Sequence, residues 1–130
     1  MNRKLFVYGT LMSPYDNPFA KKLHGMSQVL GEASFKGRLY RIKFYPGLLH
    51  SNDENDRIYG ELLQINGDIE DLFVTLDEYE GANTGSPEGD HYSRELVEVE
   101  LDGQKVECWT YIYLKPVDEA KRIESGRFEG

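Results

Sequence analysis

The stretch LFVYGTL, at residues 5–11, predicts a compact apolar strand that runs directly into a glycine turn. Glycine after a strand lets the backbone approach a ligand, and successive N–H groups in such a turn form a concave site for an anion. Taken alone, Tyr8, Gly9, Thr10 and Leu11 are a weak signal. The simpler interpretation is an ordinary turn with Tyr8 in the core, so the stretch gains weight only in combination with other features.

Around this strand the sequence alternates between short apolar runs and Gly or Pro breaks. The runs predict strands at residues 5–8, 29–32, 37–42, 48–50, 58–65, 92–101 and 105–114, with a short helix at 19–24. Asp102-Gly103 favours a tight hairpin between the last two strands. Many short strands with one amphipathic helix indicate an α+β domain whose sheet curls into a small mixed β-barrel with flanking helices. An open antiparallel sheet is the alternative.

The stretch LDEYEG, at residues 76–81, ends the one well-defined helix. Asp68 is the expected N-cap, and the i, i+3, i+4, i+7 spacing that marks one helix face is occupied by Ile69, Leu72, Phe73 and Leu76. Glu80 lies four residues after Leu76, near the middle of this apolar stripe. We therefore expect Glu80 to face the core, and Asp77 and Glu78 to lie on the solvated face.

A carboxylate on an apolar helix face is a candidate acid/base group. Burial disfavours the charged form, and the carbonyl end of the helix dipole disfavours negative charge in the last turn. Both effects predict a raised pKa for Glu80, toward the range in which a carboxylate serves first as base and then as acid. The alternative is that the helix frays at Tyr79 and Glu80 lies in solvent.

Length and composition limit the classes of function. A chain of 130 residues predicts one domain, 1–130, with a core of about 4–115 and a charged, loosely held tail at 117–130. The net charge of −8 and the lack of a basic patch argue against nucleic-acid and anionic-membrane partners. The single Cys108 and the absence of a signal-peptide pattern favour the cytoplasm. Three scattered histidines give no metal signature, and we expect no metal and no cofactor.

Taken in order, six motifs make the chain resemble the gamma-glutamylcyclotransferase-like family. They are LFVYGTL (5–11), GRLY (37–40), YPGL (45–48), IYGE (58–61), LDEYEG (76–81) and YSR (92–94). The resemblance spans nearly everything from Lys4 to about Leu114. It implies a small barrel in which the loop of Tyr8, Gly9, Thr10 and Leu11 faces the glutamate that corresponds to Glu80.

The resemblance also implies a reaction in which the α-amine of a γ-glutamyl compound attacks its own γ-carbonyl, releasing 5-oxoproline and an amine or amino acid. Glu80 would move the proton, and the loop would bind the α-carboxylate. Thr10 resembles the gamma-glutamylamine branch, although the leaving group and the oligomeric state stay open. The competing interpretation is a non-catalytic small-molecule binding domain of the same fold.

Further residues are expected around this pocket. Tyr45 and Pro46 would shape one wall, although turn chemistry explains them nearly as well. The resemblance gives Tyr92 the place of a cavity-lining residue that contacts the substrate or Glu80; a barrel-rim aromatic is the alternative. Arg94 is expected to hold the helix end through an ion pair, and direct substrate contact is the alternative. A bulge or register change is expected between Arg94 and Val97. The segment 82–91 is longer than the family pattern and suggests a lid.

Overall fold

The computed structural model describes residues 2–82 and 89–129. Its strands are β1 (Lys4–Val7), β2 (Ser27–Arg41), β3 (Pro46–His50), β4 (Arg57–Ile65), β5 (Tyr92–Leu101) and β6 (Gln104–Tyr113). Two α-helices, α1 (Pro18–Gly25) and α2 (Ile69–Glu80), and a 3-10 helix at Glu119–Lys121 complete this part of the chain. None of these helices has the length and apolar character needed to cross a membrane.

Five strands close into a barrel in the order β2-β4-β1-β6-β5, and β2 meets β5 through the pair Ser34 and Glu100. The pairing of β1 with β6 is parallel and the other pairings are antiparallel, so the barrel is mixed. Strand β3 extends the sheet from the second half of β2. The predicted α+β fold with a small mixed barrel is confirmed, and the alternative of an open sheet is wrong.

Strand β2 is longer than the sequence indicates. The two strands predicted at 29–32 and 37–42 form one continuous strand, Ser27–Arg41, which pairs with β4 as far as Lys36 and with β3 from Gly37 onward. Its register shifts between Val29 and Gly31, and Gly31 has a φ of 153°, which favours glycine. Such a bulge bends a strand without ending it, and this bend helps the sheet to close.

The two faces of the barrel wall pack against different layers. Leu5 and Val7 face a cluster that includes α2 residues such as Leu72, whereas Phe6 lies in the barrel interior with Leu62. Strand β1 is therefore apolar at successive positions because the barrel fills one face and the helices cover the other. Full burial of each such side chain contributes about 1.5–3 kcal/mol.

The hairpin of β5 and β6 turns at Asp102-Gly103, as predicted, with φ values of 52° and 80°. Its register runs without interruption from Tyr92 to Leu101, so the expected bulge after Arg94 is wrong. The buried side of β5 nevertheless changes along the strand, because its two ends pack against different layers. Tyr92 packs with the helix-side cluster, whereas Val97 packs with the barrel interior.

The C-terminal segment is not loosely held, contrary to the sequence prediction. Phe128 is only 4% exposed and packs into the barrel cluster. The N–H of Ile123 donates to Leu39 O at 2.7 Å, and Arg122 Nη2 donates to Asp56 Oδ1 at 2.8 Å. The prediction failed because it treated the charges of this segment as solvated, whereas Arg122 pairs with Asp56 and Arg127 pairs with Glu32 of β2.

Candidate functional site

A recess opens where the end of β1 meets the end of α2. It is lined by Phe6, Val7, Tyr8, Gly9, Thr10, Leu11, Tyr45, Pro46, Glu80, Tyr92 and Tyr111. The structure thus brings together all eight residues to which the sequence assigned catalysis or substrate binding. Arg94 does not line the recess and lies behind it, against α2 and β6.

The recess has an inner and an outer part. The inner part holds about 20 Å³, room for roughly one water-sized group. The outer cleft has a volume of about 290 Å³. The two parts share Thr10, Tyr45, Glu80 and Tyr92, and the outer cleft adds Phe44, Glu78, Tyr79, Gly81 and His91. Glu80 therefore lies at the junction between the narrow interior and the wider entrance.

The loop after β1 is held from outside the recess through its carbonyl groups. Asn17, which caps α1, donates its Nδ2 to Thr10 O at 2.8 Å, and His24 Nε2 lies 2.8 Å from Leu11 O. Within residues 2–82 and 89–129, the N–H groups of Thr10 and Leu11 have no hydrogen-bond acceptor. Free N–H groups on a loop held by its carbonyls are suited to binding an anion.

The Thr10 side chain is already engaged at the entrance. Its Oγ1 lies 2.7 Å from the hydroxyl of Tyr79, and either group can donate. The Tyr79 ring stacks on Phe19 with centroids 4.3 Å apart. This contact connects the loop to both helices, so the loop is fixed on the side of the outer cleft.

The end of α2 is defined by its cap. Gly81 adopts the left-handed conformation with a φ of 72°, and the N–H of Ala82 donates to Asp77 O at 2.8 Å. A second bond runs from Gly81 N to Glu78 O at 3.3 Å, which completes a Schellman motif. The helix therefore extends through Glu80, and the alternative in which it frays at Tyr79 is wrong.

Glu80 is a carboxyl group with an unusual proton affinity. Its side chain is partly accessible from the recess but is otherwise enclosed by protein. Burial, and second the negative charge of Asp77, raise the pKa of Glu80 to about 8. The direction follows the sequence argument for an acid on an apolar helix face, and the charge of Asp77 adds a cause which that argument did not contain.

The tyrosine hydroxyls around the recess are directed to protein acceptors. Tyr8 donates to Tyr111 O, and Tyr92 donates to Pro46 O, each at 2.6 Å. Burial raises the pKa of Tyr92 and of Tyr111 well above the usual value, so both keep their protons. Tyr92 thus lines the recess with its ring while its hydroxyl holds the turn that carries Pro46.

Asp77 is buried, and the prediction that it lies on the solvated face is wrong. Its carboxylate accepts from Arg94 Nε at 2.9 Å and Arg94 Nη2 at 3.3 Å, and from the Tyr111 hydroxyl at 2.6 Å. Helical spacing places Asp77 at the edge of the apolar stripe, and only the packing of β5 and β6 against α2 buries it. The expected ion pair between Arg94 and the end of the helix was the one available signal, and it did not identify the acid.

Two sequence predictions concern a lid over the recess and the absence of a metal ion. The suggested lid at 82–91 depends on residues 83–88, which lie outside the described residues. Among the residues that are described, no three His, Cys, Asp or Glu side chains are grouped so as to hold a metal ion.

In the described part of the chain, a mixed barrel carries a loop with free N–H groups and the enclosed carboxyl group of Glu80 in one recess. Sequence comparison gives the family of this chain. The family described as "Gamma-glutamyl cyclotransferase, AIG2-like" matches residues 5–130. The chain belongs to this family. It is 32% identical over 126 residues to the gamma-glutamylcyclotransferase family protein YtfP of Escherichia coli K12, covering 95% of this chain and 93% of that protein.

Solved structures give the same fold. YkqA from Bacillus subtilis superimposes with a TM-score of 0.71 at 26% identity, over 98% of this chain and 40% of YkqA. This chain thus spans less than half of the YkqA length. An AIG2-like protein from Mus musculus superimposes with a TM-score of 0.65 at 19% identity, over 98% of this chain and 95% of that protein. At that identity the likeness shows the fold alone.

Proposed function

We propose that this protein is a gamma-glutamyl cyclotransferase that releases 5-oxoproline from a γ-glutamyl amine or amino acid. One observation carries the proposal: Glu80, with its pKa raised to about 8, lines the same recess as the loop whose Thr10 and Leu11 N–H groups are free. A proton acceptor and an anion site in one recess suit a substrate that carries an ammonium group and a carboxylate on one carbon.

In the proposed reaction the loop N–H groups bind the α-carboxylate of the substrate. Glu80 takes a proton from the α-ammonium group, and the amine nitrogen forms a bond to the γ-carbonyl carbon. Glu80 then returns this proton to the leaving nitrogen as the bond between that nitrogen and the γ-carbon breaks. The attacking nitrogen gives up a second proton to the departing amine, so that the products are neutral-amide 5-oxoproline and a protonated amine. The rate of an intramolecular attack depends on how the two reacting groups are oriented. The walls formed by Tyr45, Pro46 and Tyr92 would therefore hold the glutamyl chain bent, with its amine near its own γ-carbonyl carbon.

Burial brings the proton affinity of Glu80 closer to that of an amino group. The raised pKa of Glu80, about 8, lies much nearer to the alkaline pKa of an amino group than the usual glutamate value of about 4.3 does. Transfer between groups of similar pKa works in both directions, which the proposed acid/base cycle needs. The reaction requires no enzyme nucleophile, and Cys108 is unsuited to that role because burial raises the pKa of its thiol to about 12.

The residues that line the outer cleft indicate which kind of leaving group the site would accept. Aromatic side chains of Phe44, Tyr45 and Tyr79 line it, together with the carboxylate of Glu78 and no lysine or arginine among its described residues. An amino-acid leaving group would bring its own carboxylate toward Glu78, and His91 is the only side chain of the described lining that can become cationic. The lining therefore favours an amine leaving group over an amino acid.

The test is to incubate the purified protein with γ-glutamyl amines, γ-glutamyl amino acids, a γ-glutamyl-lysine isopeptide and glutathione, and to measure 5-oxoproline by mass spectrometry. Glu80→Gln keeps the shape of the side chain and should lower turnover by roughly two to four orders of magnitude. Glu70→Gln, on the exposed face of the same helix, is the matched control and should retain turnover.

Wild-type turnover in Glu80→Gln would exclude the mechanism. If no substrate of the panel yields product, the alternative of a non-catalytic small-molecule binding domain gains support. Binding of the same compounds, followed by calorimetry, would then identify what the recess accepts.

A further inference from the structure

A buried ion pair lies directly behind the proposed acid/base group. Arg94 of β5 donates to both carboxylate oxygens of Asp77, and the two side chains are only 16% and 12% exposed. The guanidinium lies 4.0 Å from the ring centre of Phe73 and 4.7 Å from that of Trp109. Arg94 is therefore held between α2 and β6 by two aromatic rings, and Asp77 is its charged partner.

Tyr111 connects this pair to the recess. Its ring belongs to the recess lining, and its hydroxyl donates to Asp77 Oδ1 at 2.6 Å. Asp77 is also the residue whose backbone carbonyl accepts the Schellman bond from Ala82 N. The last turn of α2 carries Glu80. The side chain of Asp77 attaches this turn to the β5–β6 hairpin, and the backbone carbonyl of Asp77 accepts the hydrogen bond that caps the helix.

We propose that Asp77 is a positioning residue for Glu80: paired with Arg94 and Tyr111, it fixes the last helical turn and keeps a negative charge beside the Glu80 carboxyl group. The inference rests on the proposed function, because it assigns Asp77 a role through Glu80. Asp77 touches neither the recess nor the reacting atoms, so its effect on the reaction is indirect.

The groups that face Glu80 come from every element packed around it. Tyr8 follows β1, Tyr92 belongs to β5, Tyr111 belongs to β6, and Tyr79 precedes Glu80 in α2; the charge of each, if ionised, would interact with Glu80. Burial raises the pKa of all four phenols above the usual value, so they stay neutral near pH 8. Glu78 and His91 line the outer cleft together with Glu80, and Arg94 is paired with Asp77. Among the charged groups of the described residues, Asp77 is the one whose negative charge raises the pKa of Glu80.

The test is a direct titration of the Glu80 side-chain carboxyl carbon by 13C NMR in the protein without substrate, with Glu80→Gln used to assign the resonance. Asp77→Asn keeps the size of the side chain, removes the negative charge and leaves the positive charge of Arg94. We expect the titration midpoint of Glu80 to fall by roughly one pH unit. The matched control is Asp71→Asn, which removes an exposed carboxylate paired with Lys22 from the same helix and should leave the midpoint unchanged.

A second variant separates the effect of the lost charge from a folding defect caused by an unpaired Arg94. Asp77→Asn with Arg94→Gln leaves no unpaired buried charge, and its midpoint should also fall, by less than in Asp77→Asn. An unchanged midpoint in a folded Asp77 variant would overturn the proposal, since a purely structural pair would lower the melting temperature without moving the titration. In the kinetic assay the acid limb of the kcat profile should move with the midpoint. Absence of turnover in the wild type would instead contradict the proposed function and leave the NMR result intact.

Discussion

Gly9 lies against the ring of Pro46 so closely that a Cβ added at Gly9 would come within 2.8 Å of both Pro46 Cγ and Cδ. Pro46 is the first residue of β3, and because its ring is closed onto its own backbone nitrogen it cannot swing away like a flexible side chain. The contact therefore sets the distance between the loop after β1 and the opposite wall of the recess. It also explains why the sequence has glycine at this position without any need for a positive φ.

Gly9→Ala should separate the two walls of the recess. Insertion of a methyl group into such a contact costs about 1–3 kcal/mol, and displacement of the loop would move its N–H groups away from the substrate carboxylate. We expect a raised KM together with a lower melting temperature, measured by steady-state kinetics and thermal unfolding. Gly25→Ala is the control, because nothing lies within 4 Å of a Cβ at that position. Normal kinetics in Gly9→Ala would show that the contact does not position the loop.

Tyr92→Phe should loosen the same wall from the other side. The variant keeps the ring in the recess and loses the hydrogen bond to Pro46 O, which leaves a buried carbonyl without its donor. Loss of that bond should destabilise the fold by about 1–3 kcal/mol and raise KM. Urea unfolding and kinetics measure both effects. Tyr113→Phe is the control, since the Tyr113 hydroxyl makes no hydrogen bond within the described residues; equal effects of the two changes would contradict the assignment.

Glu80 should make the stability of the fold depend on pH. Its pKa is raised from 4.5 to about 8 in the folded state, so the folded protein binds the proton more tightly than the unfolded chain between these values. The free energy of unfolding should therefore fall as pH rises from about 4.5 to about 8, and then level off for this group. Glu80→Gln lacks this loss, so its melting temperature relative to the wild type should increase from pH 5 to pH 9. A difference that is constant over this range would show that Glu80 titrates normally.

Phe128→Ala should show that the C-terminal segment belongs to the fold. The side chain is 4% exposed, and Arg41 lies 5.0 Å from the centre of its ring. Truncation of a buried phenylalanine costs about 3–5 kcal/mol, measurable by urea denaturation. Phe44→Ala is the control, because Phe44 is 72% exposed and its truncation should change the free energy of unfolding little. A loss of less than about 1 kcal/mol at Phe128 would support the original expectation of a loosely held tail.

The limits of sequence reasoning are visible in α2. The spacing of Leu72 and Leu76 predicted the helix and the inward direction of Glu80, because helical geometry relates positions four residues apart. The same geometry placed Asp77 outside, since it does not contain the strands that pack beside the helix. The sequence also predicts two strands where β2 is one, for a similar reason: pairing of residues 27–36 with β4 and of residues 37–41 with β3 keeps the strand continuous, and local pattern does not contain those partners.

The sequence by itself determined the strands, the capped helix, the Asp102-Gly103 hairpin and the face on which Glu80 lies, because these depend on local periodicity and turn chemistry. Only the tertiary structure decided that the barrel closes through β2 and β5 and that Phe128 packs into its core. It also decided that Asp77 is buried in an ion pair with Arg94. These features join residues far apart in the chain. Their pairing follows from which surfaces must be covered together, and local pattern does not encode that choice.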